Sequence, residues 1–311
     1  MLDGKHSESH KRGMNKLPLK TRAKLLRLLC EGQSMRAAAR LEDVSFNTVA
    51  KLLAEAGAVC ADLHHERVQG VEAKRVQCDE TWAFCYAKAK NVPTAKASPE
   101  GAGDVWTWTA LDPDSKLMVS YAVGDRDAET AREFMFDLAG RLAGRAQLTT
   151  DGFGAYLKAV AVAFAADVDY ARLIKLFGEP QGVTSPERKY SPAECSGVIK
   201  EPVFGKPDPA KISTSHVERQ NLNMRMGMRR FTRLTNGFSR QVESHAAMVA
   251  LYTVFYNFCR PHKTLRMTPA LAAGITDHEW SMEEVVAWMD ECAPKPGRPK
   301  TYRKREPQVS G

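Results

Sequence analysis

Glu218 stands near the start of a stretch, residues 213–230, in which polar and apolar residues recur at helical spacing. At about 100° per residue, Glu218, Asn221, Arg225 and Arg229 share one side, and Val217, Met224, Met228 and Phe231 the other. One carboxylate followed by cations at one-turn intervals suits a metal ion held beside a phosphate backbone. Ser215-x-x-Glu218 also fits a capping box, in which the glutamate would only accept a backbone N–H. A metal site needs more carboxylates, and two stand upstream. Asp79 falls mid-strand in residues 75–86, on the side of Arg75, Gln77 and Thr81, while Val76, Cys78, Trp82, Phe84 and Tyr86 take the other side, interrupted by Glu80. Asp is disfavoured inside strands, so this one marks either an exposed edge or a site. Asp151-Gly152 lies where a short strand, 146–150, runs out; it reads equally as a plain turn or as a residue at the ligand-collecting carboxyl end of a strand.

The elements that must position these residues are legible in outline. After a polar leader (1–16), residues 19–31 have helical spacing and stop at Gly32, and Ser34 and Ser45 cap two more helices, the second running to about Ala56. Residues 17–57 therefore read as a helix-turn-helix region. Asn47, Thr48 and Lys51 share the face of its last helix away from Phe46, Val49 and Leu53, placed to reach base edges or phosphates; an ordinary three-helix unit with a solvated face is the alternative. A linker with some helical character (58–73) leads into residues 74–236. There the pattern predicts three strands, a helix (128–142), the strand ending at Thr150, a helix (153–165), a strand (168–177), a Pro- and Gly-rich loop (about 177–213) and the helix bearing Glu218. A helical segment (237–293), with a long helix at 239–258, and a basic tail (294–311) close the chain.

Composition narrows the partners. The 311 residues are 43% apolar and 26% charged, with no apolar run approaching a membrane span and no secretory signal, so a soluble, cytoplasmic protein is expected. Seven cysteines without a C-x-x-C pair argue against a disulfide framework and a zinc knuckle. A net charge of +8, with Lys295, Arg298, Lys300, Arg303, Lys304 and Arg305 crowded into the tail, favours nucleic acid. Within that tail, Lys295-Pro296-Gly297-Arg298-Pro299-Lys300 resembles an AT-hook core, placing Arg298 in a minor groove; a plain basic tail is the alternative.

The order of strands and helices, with Asp79 on the first strand, Asp151 ending the fourth and Glu218 on a later helix, resembles the ribonuclease-H-like core of DDE transposases and retroviral integrases. Cys78-Asp79-Glu80-Thr81-Trp82, Thr149-Thr150-Asp151-Gly152 and His216-Val217-Glu218-Arg219-Gln220-Asn221 are similar to the three signatures of transposases of the insertion sequence one family. Tyr256-Asn257-x-x-Arg260-Pro261-His262-x-x-Leu265-x-x-Thr268-Pro269 is similar to a motif common after the integrase core. The spacer from Asp151 to Glu218 is longer than in retroviral integrases, and the excess falls in the Pro- and Gly-rich loop. The resemblance implies an α/β fold, a ribonuclease-H-like mixed sheet flanked by helices, with an N-terminal helix-turn-helix and a helical, basic C-terminal segment. It implies catalysis and metal binding by Asp79, Asp151 and Glu218, with two Mg²⁺ ions for which Mn²⁺ can substitute. It also implies DNA as partner, through terminal inverted repeats and target DNA, bound by Asn47, Thr48, Lys51, Asn221, Arg225, Arg229 and Arg298. Joining two ends in concert implies a homodimer or higher oligomer on DNA. A helix-turn-helix regulator without catalysis, and a related integrase or a nuclease that cuts without joining, are the alternative readings.

Overall fold

Alternating residues between Arg75 and Cys85 form β1, and its neighbours place it inside the sheet. The computed structural model describes residues 16–165, 167–178, 195–232 and 235–293. Its sheet has six strands: β2 (Gly103–Leu111), β3 (Met118–Gly124), β4 (Gln147–Thr150), β5 (Asp169–Phe177) and β6 (Cys195–Phe204) join β1 in the order β3-β2-β1-β4-β5-β6. β1, β2 and β3 run antiparallel, β4 lies parallel to β1, β5 parallel to β4, and β6 returns antiparallel to β5. Three antiparallel strands followed by two parallel ones make the mixed sheet of a ribonuclease-H-like fold, flanked by helices.

The β2–β3 hairpin turns through Asp112, whose carboxylate accepts the N–H groups of Asp114 (2.9 Å) and Ser115 (3.1 Å). Asp127 caps α4 (Ala128–Arg141) by accepting the Thr130 N–H at 2.9 Å, and α5 (Ala155–Phe164) packs beside α4. On β1 and β2 lies α6 (Ser215–Gly227). At the N-terminus come α1 (Leu19–Cys30), α2 (Met35–Leu41) and α3 (Phe46–Arg67), with Gly32 at φ +80° and side-chain caps at Ser34 and Ser45. α2 and α3 meet at 116°, within the range of helix-turn-helix pairs. Among the described residues no single helix is long and apolar enough to cross a membrane. The helices α7 (Val242–Val254), α8 (Pro269–Ala272) and α9 (Met282–Cys292) complete the chain, with α3 lying along α7 and α1 along α9.

Four local expectations are corrected. α3 does not stop near Ala56: it continues through residues 58–67, because Cys60 and Leu63 extend its buried stripe into the main core. Phe46 is turned outward, 39% exposed, with the Arg36 guanidinium over its ring. The presumed loop at 177–213 contains β6, an edge strand whose two faces are largely exposed and therefore lack alternation. The long helix of 239–258 is α7 followed by a π-turn at Phe255–Cys259.

Close approach of α3 and α7 depends on Gly57, where an added Cβ would lie 2.3 Å from the Ala247 Cβ. Gly57→Ala gains about 1 kcal/mol of helix propensity yet forces two packed helices apart, and the net loss should be about 1–2 kcal/mol. Gly140 lies in α4 with open space around its Cβ position, so Gly140→Ala should instead stabilise by about 0.5–1 kcal/mol. Urea midpoints of the two variants should move in opposite directions.

Candidate active site at the end of β4

β1 and β4 pair Arg75 with Gln147, Val76 with Leu148 and Gln77 with Thr149. Continued by two residues, this register sets Asp151 beside Asp79 on adjacent strands, about 4.8 Å apart. β1 is a central strand, so an exposed edge does not account for Asp79. Asp79, Glu80 and Asp151 offer carboxylate oxygens that all lie within 4.8 Å of one another. This tight group contains Glu80, not Glu218. Glu218 reaches the same cleft from α6: it lines a space of about 520 Å³ with Asp79, Asp151, Arg126, Lys175 and Thr214.

The position of α6 is set by Gln77. Its buried side-chain oxygen accepts the backbone N–H groups of His216 (2.9 Å) and Val217 (3.2 Å), two of the donors that a helix start leaves unpaired. The capping-box reading of Glu218 is therefore overturned: the residue before α6 is Thr214, and no side-chain cap forms. The Glu218 carboxylate instead takes the Lys175 ammonium, 2.5 Å from each oxygen, and the Thr214 hydroxyl.

Charge crowding dominates the electrostatics. Burial first, then the charges of Asp151 and Glu218, push Asp79 up to about 7, against the Asn221 amide that donates to it at 2.7 Å. Burial and the neighbouring Asp151 likewise push Glu80 up to about 7. Arg126 partly offsets this, its Nε 3.1 Å from Glu80 and its terminal nitrogen 3.4 Å from Asp151. Its guanidinium lies 4.0 Å from the Phe153 ring centroid and 5.0 Å from that of Trp106, which fixes the charge in place. The Phe153 N–H donates to Asp151 at 2.9 Å.

The other residues singled out in the sequence fall in several places. Asn221 was expected to face DNA, but it is 4% exposed and its amide is spent on Asp79; it borders the apolar stripe of Val217 and Met224, which is the side of α6 that is buried. Arg225 is half-buried on the same helix, and Arg229 is exposed in a short 3₁₀ turn after it. Asn47 and Lys51 are exposed near the start of α3, while Thr48 is half-buried with its hydroxyl 2.8 Å from that of Ser45. Arg298 and the rest of the tail lie outside the described residues. Glu80, Arg126 and Lys175 were missed. Only Glu80 left a signal, as the one charge breaking the apolar side of β1.

A carboxylate raised in the folded state holds a proton that the unfolded chain releases, so its stability contribution is present at low pH and lost as pH rises through about 7. With a chelator present, Asp79→Asn should exceed the wild type in stability at pH 8 by on the order of 2 kcal/mol, a difference that vanishes toward pH 4. Added Mg²⁺ should raise the melting temperature of the wild type and leave that of the variant nearly unmoved.

Comparison with known proteins finds no matching family model. The chain is 25% identical over 176 residues to the insertion element iso-IS1n protein InsB of Shigella dysenteriae, covering 57% of this chain and 91% of that protein. A crystal structure of a pre-cleavage Mos1 transpososome is matched at 14% identity over 51% of this chain, which spans 61% of the matched chain, with a TM-score of 0.21, too low to bear on the fold. The chain thus joins similarity to an insertion-element protein over 57% of its length to a ribonuclease-H-like sheet with carboxylates gathered at one end.

Proposed function

We propose that this protein is a DDE transposase that binds the terminal inverted repeats of its element, cleaves DNA phosphodiesters and joins the freed 3′ ends to target DNA. The observation that carries the reading is the convergence of Asp79, Asp151 and Glu218, from a strand, a strand end and a helix, on one cleft. The donor set fits hard divalent cations: Asp79, Glu80 and Asp151 offer oxygens within 4.8 Å of one another, Glu218 lines the same cleft, and burial followed by the neighbouring carboxylates raises Asp79 and Glu80, so the group is short of positive charge. Asp79, Asp151 and Glu218 would hold the divalent ions. Two such ions, when bound, make a nucleophile of water near neutral pH and stabilise the leaving oxygen of an in-line displacement.

The remaining roles belong to this chain's own groups. Asn221 fixes the orientation of Asp79, and Gln77 fixes α6 so that Glu218 meets the strand ends. Lys175 and Arg126 bring positive charge into the cleft, where a phosphodiester can take over their contacts with Glu218 and Asp151. The same arrangement serves hydrolysis and strand transfer, because only the attacking oxygen differs. Asn47, Thr48 and Lys51 would read the repeat, with Arg225 and Arg229 on the backbone near the cut.

Asp79→Asn, Asp151→Asn and Glu218→Gln should each reduce Mg²⁺-dependent nicking and joining of a labelled repeat-end DNA to background, while repeat binding in a mobility-shift assay changes by less than about threefold. Wild-type protein that binds the repeat without metal-dependent cutting would instead be a regulator, and cutting without joined products would make it a nuclease.

A further inference from the structure

Beyond the carboxylate cleft, α6 borders a second space of about 520 Å³ on its neighbouring stripe, His216, Arg219 and Asn223. Lys116 faces it from the β2–β3 turn, and Arg260, His262 and Lys263 from the segment after the π-turn. No carboxylate among the described residues lines it. Among the described residues none of Lys116, Arg219, Arg260 and Lys263 forms an ion pair with an acidic side chain. The cations also act on one another: burial and then Lys116 lower His216, and burial, Lys116 and Arg260 lower His262.

This cleft is built, not incidental. The Tyr256 hydroxyl donates to the Lys116 carbonyl at 3.0 Å, and the Asn257 amide both accepts from Met118 N–H (3.0 Å) and donates to Met118 C=O (2.9 Å), locking the π-turn to the hairpin. An i→i+5 bond from Arg260 N–H to Phe255 C=O (2.9 Å) ends the turn, and His262 then pairs with Met267. π-Turns of this kind are frequent at functional sites. Lys116 itself sits at φ +64°, a left-handed conformation that costs a non-glycine residue roughly 1 kcal/mol. A glycine would be favoured there on backbone grounds alone; the Lys116 ammonium donates to the Pro113 carbonyl and lies 3.3 Å from the His216 Nδ1 at the cleft.

We infer that this cleft is a second phosphate-binding site, which holds the backbone of DNA on the side of α6 away from the carboxylates. The inference rests on the reading that the protein acts on DNA and adds a contact to it. It also gives the Tyr256-to-His262 motif a division of labour: Tyr256 and Asn257 hold the turn, and Arg260 and His262 meet the phosphates.

Lys116→Gly tests this cleanly, because the substitution removes the charge while relieving the backbone. In full-length protein with chelator present, binding of a fluorescent duplex is measured by anisotropy across a salt series. The slope of log K against log salt should become shallower by about one in Lys116→Gly and by about two in Lys116→Gly with Arg260→Gln, with the melting temperature of Lys116→Gly unchanged or raised. Unchanged slopes with wild-type DNA binding intact would overturn the inference and leave the transposase reading standing. No DNA binding by the wild type would overturn both. Inorganic phosphate is titrated calorimetrically in parallel: tight phosphate binding lost in Lys116→Gly, with the DNA slope unaltered, would identify a small-anion site and overturn the DNA assignment.

Discussion

Repulsion among carboxylates packed at the end of β4 is the constraint that the rest of the structure answers. Two parallel strands bring Asp79 and Asp151 side by side, Glu80 joins them from the same strand, and α6 adds Glu218. In water such a group would spread apart. Here the sheet ladder holds the backbone, so the charge must be met by protons, by donors or by cations. Asn221 meets Asp79, Arg126 meets Glu80 and Asp151, and Lys175 meets Glu218.

The counter-charges differ in how firmly they are fixed. Arg126 is clamped by two aromatic rings, whereas the Lys175–Glu218 pair is about one-third exposed at both partners. An exposed pair of that kind contributes little to stability and is readily exchanged for another cation. The cleft is therefore firm on the β1–β4 side and yielding on the α6 side. Gln77 limits the consequence: by accepting two α6 N–H groups it keeps the helix itself in register with β1 when the Glu218 side chain lets go of Lys175.

Much of this was readable from residue order. Asp79 broke a strand pattern, Asp151 sat at a strand end, and Glu218 headed a helix, each a local signal. What escaped depended on pairing between distant segments. Lys175 enters the cleft because β5 pairs with β4 in one particular register, and nothing within residues 169–177 encodes that. Arg126 lies in the loop between β3 and α4 and gains its role only from Phe153 and Trp106. Asn221 was misplaced because it borders the apolar stripe of α6: that stripe turns inward through Val217 and Met224 and carries the Asn221 amide onto Asp79. β6 escaped because an edge strand exposed on both sides need not alternate. The end of α3 escaped because its apolar stripe was cut short at Ala56, although Cys60 and Leu63 continue it.

That continuation has a bearing on ancestry. Only one face of the first turns of α3, with Asn47 and Lys51, is exposed, and its second half is a wall of the central core, shared with α7 through Gly57 and with the sheet through His64, whose ring bonds the Met118 carbonyl at 3.1 Å. A head that borrows its core from the body cannot be swapped for another by recombination at a linker. Descendants of this chain that acquire a new recognition surface would have to do so by point substitution on the exposed turns, with Gly57 and the residues beyond it kept as inherited.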